Sequence, residues 1–122
     1  MVVDDNPAAT VENDMFRTAA IVIVCGLWAS VAAAQDAARG QKVYTEQKCS
    51  ICHSVGGVGN KKGPLDDVGS MFSAAELRGW ITDAPAMATK AKAERKPAMK
   101  AYSTLAKDDL DALVAYLQTL KK

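Results

Sequence analysis

The sequence has no excess of charge, no length to spare and almost no histidine. Its 122 residues allow one small domain plus a targeting segment, too short for a nucleotide-binding α/β enzyme. Fifteen basic and fourteen acidic side chains cancel to a formal +1, so there is no basic balance that would point to nucleic acid and no acidic tail. Eight glycines and four prolines exclude collagen-like and proline-rich classes. Three cysteines cannot pair into a disulfide framework. A single histidine leaves no nucleophile–base pair and too few ligands for a zinc site. Nowhere does a period-two strand pattern emerge.

What is present is unevenly placed. Residues 19–34 run AAIVIVCGLWASVAAA without a charge, preceded by Arg17 and ending in Ala32-Ala33-Ala34. This is the pattern of a secretory signal cut between Ala34 and Gln35, so residues 1–34 are expected to be a signal peptide and 35–122 the domain. Retention of the run as a membrane anchor is the alternative. Asp4, Asp5, Glu12 and Asp14 are out of place in a signal, and Met15-Phe16-Arg17 would make a normal start, so residues 1–14 read as a mis-assigned beginning. Cys25 falls in the removed segment. The remaining 88 residues hold 14 basic and 10 acidic side chains and only Cys49 and Cys52. A domain that small usually needs a staple.

Within it, residues 36–48 form a helix candidate with Ala37, Gly40, Val43, Tyr44 and Gln47 near one face. Residues 54–70 hold five glycines and Pro64 and read as loop. Ser73-Ala74-Ala75-Glu76 is a capping box that starts a short helix through Leu77, Trp80 and Ile81, stopped by Pro85. Residues 86–100 are rich in Lys and Ala and broken by Pro97; Lys90, Lys92, Arg95 and Lys96 read as a solvated face. Leu110, Leu113, Val114, Leu117 and Leu120 mark a last helix, with Asp108 and Asp109 in its first turn. The class is all-α, three to four helices with long loops that need a bulky group to pack against.

Cys49-Ser50-Ile51-Cys52-His53 supplies that group. C-x-x-C-H is the covalent haem attachment motif: two thiols three residues apart share one side of a helical turn, and the adjacent imidazole projects towards the iron. A thioredoxin-like pair would need a βαβ setting, and a plain disulfide would explain neither His53 nor the loops.

With these residues the sequence resembles class I cytochrome c, the small monohaem bacterial carriers, from Ala38 to Leu120. Ala38-Arg39-Gly40 and Tyr44 resemble that family's first helix. Gly63-Pro64-Leu65 resembles its Gly-Pro-x-Leu loop, with one residue missing. The stretch from Leu110 to Leu117 resembles its last helix. The resemblance implies a cytochrome c fold around one haem c. It implies that the Pro64 carbonyl accepts the free imidazole N–H of His53, that Leu65 packs on the haem and that Trp80 lies near the propionates. Gly40 and Tyr44 should then meet Tyr116. Of Met71, Met87 and Met99, the resemblance favours Met99 as sixth ligand, because Ala101, Tyr102 and Leu105 follow it as in the family's ligand loop. Lys100 stands where a proline is usual, and Met87 or an open position are the alternatives; Met71 reads as core.

The implied function is a periplasmic, monomeric single-electron carrier with no catalytic residue. Lys48, Lys61, Lys62, Lys96 and Lys100 read either as a ring that steers a redox partner with an acidic docking surface or as simple solvation of surface loops. A haem subunit of a dehydrogenase or oxidase, and an open-site haem sensor or peroxidase, are the rival readings.

Overall fold

A computed structural model describes residues 32–122; the leader reading, Cys25 and the start at Met15 lie outside the described residues, save for 32–34. Residues 34–122 form one compact unit.

The first described element, α1, is helical over residues 32–46. A 3₁₀ turn follows at Cys49–Ile51, entered through Lys48 in the left-handed region (φ 56°). Then come β1 (Ser54–Val55), β2 (Val58–Gly59), α2 (Val68–Met71), α3 (Ala74–Thr82), α4 (Ala84–Ala91) and α5 (Lys107–Thr119). Among the described residues no helix is long and apolar enough to cross a membrane.

The core sits where α1, α3 and α5 meet. Val43 and Tyr44 of α1, Leu77 and Ile81 of α3, and Leu110, Leu113, Val114, Tyr116 and Leu117 of α5 are buried together with Val68. The helical spacing of the last set thus faces inward as expected. At the α1–α5 crossing Gly40 is the contact point: a Cβ there would overlap the Ala112 carbonyl oxygen and lie 2.6 Å from the Cβ of Tyr116. Beside it the Tyr44 and Tyr116 rings meet edge to face, centroids 5.9 Å apart, a favoured aromatic geometry. Arg39 and Asp109 close the rim of the crossing at 2.8 Å. The expected meeting of Gly40 and Tyr44 with Tyr116 is therefore observed.

The capping box forms in both directions: Glu76 N–H donates to Ser73 Oγ (3.2 Å), and Ser73 N–H to Glu76 Oε2 (2.8 Å). The bond from the Ser73 amide holds the Glu76 carboxyl below its ordinary value, so the box is intact above the acidic range and loosens as pH falls through it.

Three local expectations are corrected. Residues 54–70 are not all loop: β1 and β2 pair as a two-residue antiparallel ribbon across Gly56-Gly57. Both turn residues have positive φ (59° and 79°), which glycine alone adopts without strain. Pro85 does not only end α3. It lies in the first turn of α4, where its missing N–H costs nothing, and the Lys- and Ala-rich stretch is helical to Ala91. Met71 is not core; it is 65% exposed on α2. The all-α class holds, with α2 and α4 as short additions to the expected helices.

Candidate haem-attachment site

The site is built on a tight reversal of the chain after α1. The N–H groups of Cys52 and His53 both point back to the Cys49 carbonyl (3.1 and 2.9 Å), which winds the C-x-x-C segment into a turn and brings both cysteines to it. Both thiols are free and half-buried. Burial pushes the Cys49 thiol up from its ordinary value, so it is protonated at neutral pH.

His53 is half-buried, and its Nδ1 lies 3.1 Å from the Gly63 carbonyl. A carbonyl only accepts, so this bond puts the proton on Nδ1 and leaves the lone pair on Nε2. Burial, the larger influence, lowers the imidazole pKa, against the opposing pull of the Gly63 carbonyl. The neutral imidazole is the form that ligates metals. Such an outer bond also fixes the ring and raises its basicity.

The partner is Gly63, one residue earlier than the expected Pro64. The reason lies in the backbone: Ser54 N–H donates to Gly63 (3.1 Å) and Leu65 N–H to Ser54 (2.8 Å), which aligns residues 63–65 beside Ser54 and turns the Gly63 oxygen towards the ring. Ser54 itself is buried. Pro64 is exposed and serves through this pairing with Ser54. Asn60 braces the outer side of the turn, donating from Nδ2 to the Ile51 carbonyl (3.1 Å).

Of the other expected site residues, Leu65 and Tyr102 are half-buried and pack on the core together with Cys49, Val55, Phe72 and Leu105. Tyr102 N–H donates to the Ile81 carbonyl (2.8 Å), which ties the stretch before α5 to the end of α3. Trp80 is half-buried on α3. Met99 is half-buried in the segment between α4 and α5. Met87 is half-buried on α4, where its sulfur rests on Gly79 of α3: a Cβ at Gly79 would lie 3.1 Å from Sδ.

Sequence reasoning missed Arg95. Read as part of a solvated face, it is exposed as expected, and it also donates from Nη2 to the Cys52 carbonyl at 2.7 Å. The lone arginine in a lysine-rich stretch was the available signal, since only arginine offers a planar fork of donors.

The donor set fits a covalently held haem. Two half-buried thiols precede an imidazole whose Nε2 is left with its lone pair, and Cys49 packs on the core together with half-buried apolar side chains. Among the described residues no cluster of three or more His, Cys, Asp or Glu side chains offers a bare metal site.

Comparison with known proteins agrees. The Cytochrome c family model matches residues 37–121. Cytochrome c oxidase subunit 2 of Alkalihalophilus pseudofirmus is 32% identical over 92 residues, which covers 68% of this chain and 25% of that protein. The chain thus spans about a quarter of the length of that relative. No solved structure matches the chain. A match that runs from α1 through the attachment turn to the end of α5 takes in the whole core and the donor set together, and the chain therefore belongs to the cytochrome c family, whose covalent haem c and electron transfer it shares.

Proposed function

We propose that this protein is an exported carrier of single electrons, its haem joined to Cys49 and Cys52 and its iron held between His53 and Met99. The bond between His53 Nδ1 and the Gly63 carbonyl carries the reading, because it presents Nε2 as a fixed ligand beside two free thiols. Met99 would hold the iron through its thioether, a soft donor that would favour the ferrous state and suit single-electron transfer. Met99 is preferred to Met87 because the Met87 sulfur is already packed on Gly79, whereas Met99 lies on a segment with few other ties. Leu65 and Tyr102 would pack on the macrocycle, and Trp80 would lie near its propionates. The chain's own work is ligation, exclusion of water and presentation of a docking surface.

Mass and absorption spectra of the protein purified from its native cell test this directly. The expected mass is that of residues 35–122 plus one haem. Alkaline pyridine should report a covalently bound haem, and the ferric protein should show the long-wavelength sulfur-to-iron band. A chain retaining residues 19–34 would make it an anchored protein instead. Ready binding of carbon monoxide to the ferrous form would replace the carrier reading with an open-site sensor or peroxidase.

Lys48, Lys61, Lys62, Lys96 and Lys100 are all exposed and flank the attachment turn and Met99. On this reading they steer a partner with an acidic docking face, and the protein works as a monomer in the periplasm. Electron transfer to such a partner should slow about tenfold as salt rises from low to above-physiological strength, since steering of this kind is worth ~10- to 1,000-fold. A rate indifferent to salt would remove the lysines from the mechanism.

The likeness to an oxidase subunit favours a second reading, in which the domain serves as a haem subunit of a larger complex. Co-purification with a partner at high salt would establish it.

A further inference from the structure

We propose that Arg95 is a positioning residue that clasps the loop carrying Met99 to the haem-attachment turn. Residues 94–101 lie between α4 and the anchor of Tyr102 on Ile81. Among the described residues, none of these eight makes a backbone–backbone hydrogen bond. Among the described residues, the one hydrogen bond that holds the stretch runs from Arg95 Nη2 to the Cys52 carbonyl, 43 positions back along the chain, at 2.7 Å. A cationic donor on a carbonyl makes a strong bond, and guanidinium geometry sets its direction.

The seat for the guanidinium is shaped for it. A Cβ at Gly63 would overlap both Arg95 Nη1 and the Cys52 oxygen, so only glycine lets the fork settle there. Gly63 is also the residue whose carbonyl holds His53. Arg95 therefore touches both backbone segments that fix the imidazole, and it does so from the loop that bears Met99. One side chain joins the segment that bears Met99 to the segments that hold His53, and it lies four residues ahead of Met99, close enough to limit how far that loop can swing.

Imidazole binding to the ferric holoprotein tests the clasp. Imidazole enters only when the loop swings away, and as a neutral probe above its own pKa it is insensitive to the charge removed. Arg95→Met should bind imidazole about tenfold more tightly than the unaltered protein, the scale of one charge-assisted hydrogen bond. Amide order parameters of residues 94–101 in the same variant should fall. A merely global loss of stability would lower the melting temperature and leave those amides rigid in the native state. Imidazole affinity and order parameters within error of the unaltered protein would overturn the proposal.

The imidazole arm rests on Met99 being the ligand, and the order parameters do not. Should the unaltered protein lack the sulfur-to-iron band, the His53/Met99 reading fails and the amides alone decide on the clasp: loosening upholds it, and unchanged rigidity rejects it.

Discussion

Replacing Gly40 with alanine is expected to cost about 3 kcal/mol of stability, the upper part of the usual range for overpacking. Two effects oppose one another at this position. Alanine in a helix interior is favoured over glycine by about 1 kcal/mol, so propensity alone predicts a more stable protein. The added methyl, however, would overlap the Ala112 carbonyl oxygen, and its other near neighbour is the Cβ of Tyr116 at 2.6 Å. The obstructing oxygen belongs to the backbone of α5 and cannot rotate aside. The two helices must part, which also separates the Tyr44 and Tyr116 rings and the buried residues around them. Packing outweighs propensity, and the thermal midpoint should fall by roughly 10–20 °C for a domain of this size. Calorimetry of the holoprotein measures it. Truncating Tyr116 in the same chain should not restore the loss, since Ala112 would still obstruct. A higher midpoint for Gly40→Ala would show that the crossing is looser than described.

On the proposed ligation, Met99→Ala removes the sulfur-to-iron band and lowers the reduction potential by a few tenths of a volt, within the ~0.8 V that axial ligands span. The haem should remain attached, because its covalent links would run to Cys49 and Cys52, which the substitution leaves in place. Small ligands such as carbon monoxide should then bind the ferrous form. Met87→Ala is the control. Its sulfur packs between α3 and α4 on Gly79, so its loss should lower stability modestly and leave spectrum and potential unchanged. Spectroelectrochemistry of the two variants side by side separates ligand from filler. The opposite pattern would transfer the sixth position to Met87.

Elements that announce themselves through side-chain periodicity or paired motifs were readable before any coordinates. The inward row of α5, the Ser73–Glu76 box and the C-x-x-C-H turn each need only neighbouring residues to be recognised. The crossing at Gly40 was legible through the resemblance of the first and last helices to those of the cytochrome c family; a glycine within a helix is by itself equally a weak spot. The β1–β2 ribbon was not found because two residues are too few to alternate; Gly56-Gly57 was its trace. The helix α4 was overlooked because only Ala84 is fully buried there and no apolar stripe forms, although alanine and lysine favour helix and Pro85 suits its first turn. A main-chain carbonyl was expected as the partner of His53, one residue too late, because the pairing of residues 63–65 with Ser54 that turns the Gly63 oxygen to the ring has no side-chain signature. Arg95 could not be placed because its bond depends on the path of the whole loop between Cys52 and itself.

The contact of α1 with α5 has a bearing on how the molecule is made. Arg39 and Asp109, which meet at the rim of this contact, are 70 positions apart. During synthesis the N-terminal part emerges first, at ~5–20 residues per second. For several seconds α1 therefore has no surface on which to bury Val43 and Tyr44, and the cysteines just after it remain open to the outside. Arrival of the last helix supplies that surface and closes the core over both residues.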